Sequence, residues 1–233
     1  MDQDIKSQIE RAESLLEELE RSCRLDLEKK IVSEKTKNLT QEILTKMRYV
    51  LDQSMHRFFE KMIAPNFSSK DIRKIKVYFP ITNNKNSLKA ILGRGKMADL
   101  NLTHPEVYNF IDSIQPYNPE FNWLSDFVQF VNEKHIRLSP QEIKEENETI
   151  LSDMVHVGGR GRVAMRGCLV NGIPVNSEDI NATPLDQFDP RLQAKRIIWT
   201  SFNFEGSNIN ILWLCKKAVD ELKKMIDSFF TKF

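Results

Sequence analysis

The chain is expected to adopt an α+β fold, mainly α: an antiparallel helical bundle with a long N-terminal helix pair and a small antiparallel β-sheet before a C-terminal helix. Three observations predict this. Apolar residues recur at steps of three and four from Ile5 onward, an Asn171-Gly172 pair separates two apolar stretches, and helical periodicity returns from Ile211 to Phe229. With 233 residues, 40% hydrophobic and 29% charged, the chain is an ordinary globular one, large enough to bury a core.

The first helix carries a narrow seam of Ile5, Ile9, Ala12, Leu16, Leu19 and Cys23 among charged residues. Such a stripe has to bury against something: a second helix, a second copy of the chain or another protein. Ser33 suits the cap of a second long helix reaching about Ile63, ahead of Pro65, and an antiparallel pair is the simplest packing. Apolar alternation through Ile75-Lys76-Val77-Tyr78-Phe79-Pro80-Ile81 predicts an extended segment, which Pro80 keeps at an edge because it lacks an N–H. A polar loop, Thr82 to Asn86, follows.

Thr103 with Glu106 forms a capping-box signal, Pro105 fits a first helical turn, and Val107, Phe110, Ile111 and Ile114 supply an apolar face that ends before Pro116 and Pro119. The next helix carries Leu124, Phe127, Val128 and Val131, and the same spacing sets His135 on that side while Lys134 points elsewhere. The acidic run Gln141 to Glu148 reads as a solvated loop or exposed helix that separates two halves.

Beyond Met154 the texture becomes strand-like. Arg162 to Val170, the turn at Asn171-Gly172 and Ile173-Pro174-Val175 form a hairpin, which Arg196 to Phe204 alternates well enough to join. Ser207 then caps a final helix bearing Ile211, Leu214 or Cys215, Ala218, Leu222, Met225 and Phe229. The expected organisation is one domain over 1–233, with a helical bundle core in 1–150, a hairpin-containing insertion in 151–206 and a helix in 207–233 that returns to the bundle.

Charge and composition narrow the function classes. Lys and Arg number 34 against 33 Asp and Glu, so no global field draws the chain onto nucleic acid or anionic membrane, and any such binding must be local. Three scattered cysteines, Cys23, Cys168 and Cys215, argue for buried free thiols over a disulfide framework or zinc knuckle. No apolar run approaches the roughly 20 residues that span a bilayer, so a cytoplasmic protein without membrane contact is expected. His104 and His156 lack neighbours at metal-ligand spacing, no cofactor motif is visible, and no Gly-x-Ser-x-Gly elbow occurs, so neither metal, cofactor nor classical nucleophilic hydrolysis is expected.

The sharpest polar feature is Arg48, Asp52 and His56, which stack along one helical strip at four-residue steps. Arg48 falls at the rim of the arc formed by Met47, Val50, Leu51, Met55 and Phe58, Asp52 just beyond it, and His56 farthest out. A pair at that edge needs further hydrogen bonds, for which Asn132 and His135 are candidate suppliers, with His56 and Lys134 secondary. If the Leu124 to Val131 face packs on this helix, His135 comes near Asp52, and an Arg48, Asp52 and His135 cluster could orient an imidazole for proton transfer. The same groups could instead form a buried polar staple that fixes helix register.

A second candidate is Val157-Gly158-Gly159-Arg160-Gly161-Arg162-Val163, where glycines allow close backbone approach and Arg160, Arg162 and Arg166 could meet phosphates. It lacks the Gly-Lys-Ser/Thr ending of a Walker loop and leads into a strand, so it also reads as a tight loop before a hairpin. Arg191, Lys195 and Arg196 add local positive charge, while the aromatic partners that single-stranded recognition uses are limited to Trp199, Phe202 and Phe204.

Met47-Arg48-Tyr49-Val50-Leu51-Asp52-Gln53, Phe79-Pro80-Ile81, Gln115-Pro116-Tyr117 and Asn132-Glu133-Lys134-His135 occur in this order, and over roughly Leu39 to Leu138 the chain resembles an uncharacterised bacterial family whose long helix reads Leu-Arg-Ser-Ala-Leu-Asp-His and which carries an Asn-x-x-Lys-His motif. An Arg followed by a His on one helix is in turn similar, distantly, to HEPN domains, helical bundles that often dimerise and include metal-independent ribonucleases. That resemblance implies an Arg for phosphate binding and a His for proton transfer. Arg48 stands at the Arg position, Gln53 stands where the His is expected, and His56 lies beyond the usual spacing.

These readings together predict a HEPN-like cytoplasmic protein whose Arg48, Asp52 and His135 bind an anionic group, with RNA the candidate and metal-independent ribonuclease the enzymatic version. The alternative is a non-catalytic protein–protein interaction module that uses the N-terminal seam. Candidate partners are thus a second copy forming a homodimer, RNA, or another protein.

Overall fold

The seam that begins at Ile5 folds as α1 (Gln3–Lys29) and is covered from within the chain by α2 (Glu34–Phe58). The computed structural model describes residues 2–29, 31–68, 72–133, 136–142, 148–158, 163–197 and 200–233. A hydrogen bond at one end and an ion pair at the other fix the helices antiparallel: Ser22 meets Thr36 at 2.8 Å, whereas Asp2 meets Arg57 at 2.7 Å. Leu15, fully buried, fills the seam position expected of Leu16, which stays partly exposed, while Ile5, Ile9, Ala12, Leu19 and Cys23 are buried as expected. The stripe is therefore spent on the chain's own helices.

The α1–α2 turn is tied by Asp26. Its Oδ2 accepts from the Ser33 amide at 2.8 Å, the Ser33 hydroxyl at 2.8 Å and the Thr36 hydroxyl at 2.6 Å. Ser33 caps α2 as expected, accepting from the Thr36 N–H. The α-helix ends at Phe58 and continues as a π turn, Phe59–Ile63, and a 3-10 turn, Ala64–Asn66, where Pro65 removes the donor that a longer helix would need.

Among the described residues four α-helices follow before the strands: α3 (Lys85–Arg94), α4 (Leu100–Thr103), α5 (Pro105–Ser113) and α6 (Trp123–Asn132). Helix α3 starts inside the stretch expected to be a polar loop, because Asn84 caps it through the Ser87 N–H and Leu88 and Leu92 give it a buried stripe. Thr103 closes α4 through the Asp99 carbonyl and does not cap α5, which begins at His104 without a side-chain cap. The last helix, α7 (Ile211–Phe230), is capped by Asn210, whose Oδ1 accepts from the Trp213 N–H at 2.9 Å; Ser207, expected in that role, holds the preceding turn. α7 packs on α1 and α2 through Cys215, Ala218, Leu222 and Phe229, all buried. Burial pushes the Cys23 thiol up to about 12, reinforced by Asp26 and Glu20, and raises Cys215 as well, so both behave as apolar groups.

Residues 1–138 and 204–233 form one compact unit and residues 139–203 a second. The second contains small β-ladders. β2 (Glu148–Leu151) lies between β3 (Val155–Gly158) and β6 (Lys195–Ile197), and pairs with both antiparallel. β4 (Met165–Val170) and β5 (Ile173–Ser177) form the expected hairpin, with Asn171 at φ 51° and Gly172 at φ 74° supplying the two left-handed residues of a type I′ turn. β1 (Leu138–Glu142) pairs with β7 (Thr200–Phe204). Arg196 to Phe204 thus splits between two ladders and does not join the hairpin, and both ends of the acidic run, Gln141–Glu142 and Glu148, are strand instead of loop or helix. Leu151, Val157, Val170, Ile173, Val175, Ile180, Phe188 and Leu192 form this unit's own core.

Candidate functional site

The stretch Ile75 to Ile81, expected to be extended, carries no regular secondary structure and joins no sheet. Side chains take the place of a neighbouring strand. Asp52 Oδ1 accepts the Phe79 N–H at 2.9 Å, and Arg48 Nη2 donates to the Phe79 carbonyl at 3.0 Å. On the following residues Gln115, fully buried, donates to the Pro80 carbonyl at 2.9 Å and accepts from the Thr82 N–H at 2.9 Å. Four backbone groups here are thereby satisfied without a ladder, and Pro80 is tolerated because no strand partner needs its missing donor.

Arg48 and Asp52 also bind each other, with Nε to Oδ2 at 3.1 Å and Nη2 to Oδ1 at 2.9 Å. Burial raises the Asp52 carboxyl above its ordinary value despite the opposing Arg48 charge and the Phe79 N–H. The pair therefore fastens a distant segment to α2, a role different from the fixing of helix register expected of it. His56 points to Glu60 instead, at 3.4 Å and about half exposed, so it does not join them. Gln53 lines a separate hollow of about 200 Å³ against α1, together with Asp4, Gln8 and Tyr49.

Helix α6 does lie against α2, and Trp123, Leu124, Phe127 and Phe130 are its buried positions. It ends at Asn132, with Glu133 already extended, so the helical spacing used to orient His135 stops short of it. His135 and Lys134 lie outside the described residues, as do Arg160 and Arg162.

A cleft of about 690 Å³ opens beside the Arg48–Asp52 pair. Its walls come from the Ile75 to Ile81 segment, the end of α3 and one side of α6, where Val128, Val131 and Asn132 face it. The α3 end is shaped by a Schellman turn: Met97 N–H bonds the Leu92 carbonyl at 2.8 Å, Lys96 N–H bonds Gly93 at 3.1 Å, and Lys96 takes φ 59°. This reversal places Arg94, Gly95 and Met97 on the wall. A Cβ at Gly95 would come within 2.7 Å of the Met97 Cε, the tip of a flexible side chain.

Among the described residues four cations, Arg48, Lys74, Lys76 and Arg94, line the cleft against a single carboxylate, Asp52. Arg48 is matched with Asp52, while Lys74, Lys76 and Arg94 have no ion-pair partner among the described residues. The basic residues of the strand unit are different. Arg166 pairs with Glu178, Arg191 with Asp189, Lys195 with Asp153, and Arg196 donates to the Ile180 and Thr183 carbonyls. Of the aromatic residues named with them, Phe202 and Phe204 are buried, Phe204 stacking on Phe130 at 3.7 Å, and Trp199 lies outside the described residues.

Lys74, Lys76, Tyr78 and Arg94 escaped the sequence reading because they share no periodic motif. The available signals were the polar members of the Lys76 to Ile81 alternation and the Asn84 cap ahead of Leu88 and Leu92. Among the described residues no group of three His, Cys, Asp or Glu side chains could hold a metal ion, and no helix is long and apolar enough to cross a membrane. Compared with protein-family models, curated proteins and solved structures, the chain matches none. Fold and site together define a mainly helical α+β protein with a basic cleft beside its long helix pair.

Proposed function

We propose that the protein binds a small anionic ligand with an apolar or aromatic body in the cleft beside Arg48 and Asp52. The observation that carries this is the convergence of Lys74, Lys76 and Arg94 on one concavity without carboxylate partners among the described residues. Clustered cations without counter-charges repel one another, and a phosphate or carboxylate relieves that repulsion while gaining charge-assisted hydrogen bonds. The apolar walls, including Ile81, Ile91 and Met97, suit the rest of the ligand, and the volume falls in the range of about 300–1,000 Å³ usual for small-molecule sites.

Binding, and not catalysis, is the activity this arrangement favours. Metal-independent RNA cleavage needs a general acid and a general base within reach of the reacting oxygens. Asp52 is the single carboxylate among the described lining residues, its oxygens are occupied by Arg48 and Phe79, and no histidine lines the cleft among those residues. RNA enters this reading as a carrier of phosphate, in keeping with the distant HEPN resemblance, and not as a substrate. Likewise, burial of the α1 seam inside the chain gives no support to an interaction module built on it.

Calorimetric titration with inorganic pyrophosphate tests the reading. The wild type should bind one equivalent with an affinity that weakens as salt rises, and the triple variant Lys74→Glu, Lys76→Glu, Arg94→Glu should lose at least about tenfold. Equal binding by the folded triple variant, or none by the wild type, would refute it.

A further inference from the structure

We infer that the ligand is a nucleoside phosphate whose base stacks on Tyr78 while its phosphate is held by Lys76 and the neighbouring cations, an inference that rests on the anion-binding reading above. Tyr78 lines the cleft and is 54% exposed. Among the described residues no ring or cation packs on it, whereas Lys61, Lys85 and Lys217 each lie over an aromatic ring elsewhere. Its face is therefore available to a planar ligand.

The backbone explains the pairing of ring and charge. Burial alternates along this segment: Val77 and Phe79 are buried in the core while Lys76 and Tyr78 are exposed. Lys76 and Tyr78 both line the cleft, so one nucleotide can meet the ring with its base and the cation with its phosphate. Asp52, Arg48 and Gln115 grip the backbone of the next residues, so the platform is set before any ligand arrives and little ordering cost falls on binding. Asn132 offers an amide donor and acceptor to a base edge from the opposite wall. A simple anion or an aliphatic acid would use the cations and leave the Tyr78 face unused.

The same chemistry is offered by a free nucleotide and by a phosphorylated RNA end. Calorimetric titrations with adenosine 5′-monophosphate, ribose 5-phosphate, inorganic phosphate and a short 5′-phosphorylated oligoadenylate separate the cases. Wild type should bind adenosine monophosphate at least about tenfold more tightly than ribose 5-phosphate. Tyr78→Ala should erase that difference and leave ribose 5-phosphate binding intact, and Tyr78→Phe should restore it. Oligoadenylate binding as tight as the mononucleotide would assign the site to an RNA end, and its loss would assign it to free nucleotides; both support a nucleoside phosphate. Equal affinity for adenosine monophosphate and ribose 5-phosphate would overturn this inference while leaving anion binding standing. Failure of every anion to bind would overturn the anion-binding reading itself.

Discussion

Asp52 accepts the backbone N–H of Phe79 at 2.9 Å across 27 residues of chain, doing for an isolated segment what a neighbouring strand does in a sheet. Replacing Asp52 with Ala leaves that N–H unpaired and strips Arg48 of its counter-charge at a partly buried site. A loss of about 2 kcal/mol in stability is expected, discounted for the pair's residual exposure. Urea unfolding measures it, and an unchanged midpoint would show that the pair does not fasten the segment.

Gln115 makes three hydrogen bonds, to Thr82, Pro80 and Ile111, from a position with no solvent contact. Gln115→Leu keeps the volume and strands the Thr82 donor and the Pro80 carbonyl. The expected cost is about 3 kcal/mol, read as a lowered urea midpoint. The same variant should accelerate amide exchange at Thr82, and slow exchange there would argue for another partner.

The α1–α2 turn should make stability fall with acid. Burial pushes the Asp26 carboxyl up, but hydrogen bonds from Thr36 and Ser33 and the Lys29 charge outweigh it and hold the group below its ordinary value of 3.8. A carboxyl lowered in the folded state binds its proton more tightly when unfolded, so its contribution is present above 3.8 and is lost as pH falls toward the folded value. Asp26→Asn should be less stable at neutral pH and show a shallower acid decline below 3.8 in urea midpoints taken across pH. Parallel pH curves for both proteins would contradict this.

Lys96 holds φ 59° at the Schellman turn that shapes the cleft wall. A non-glycine residue there costs about 1–2 kcal/mol, part of which glycine returns through greater freedom when unfolded. Lys96→Gly should therefore raise stability by up to about 1 kcal/mol in thermal unfolding, an increase that a right-handed Lys96 would not produce.

The elements legible in the sequence are those specified by local chemistry. Ser33 capped α2 and Asn171-Gly172 made the hairpin, because each depends on neighbours a few residues away. The Arg48–Asp52 pair was visible from helix spacing, but its partner was not: nothing in the sequence links α2 to the backbone of Phe79. The cleft was hidden for the same reason, since Lys76, Arg94 and Asn132 meet through tertiary packing alone. Leu15 replaced Leu16 in the seam because a continuous helix packed on two partners buries a wider stripe than a two-helix coil does.

An amide NMR titration of the labelled protein with adenosine 5′-monophosphate locates the anion site. Shifts should concentrate at the amides of residues 76–79 and 93–97 and leave the Met165–Ser177 hairpin unmoved. Shifts centred on that hairpin, or spread evenly over the surface, would contradict a site in the cleft.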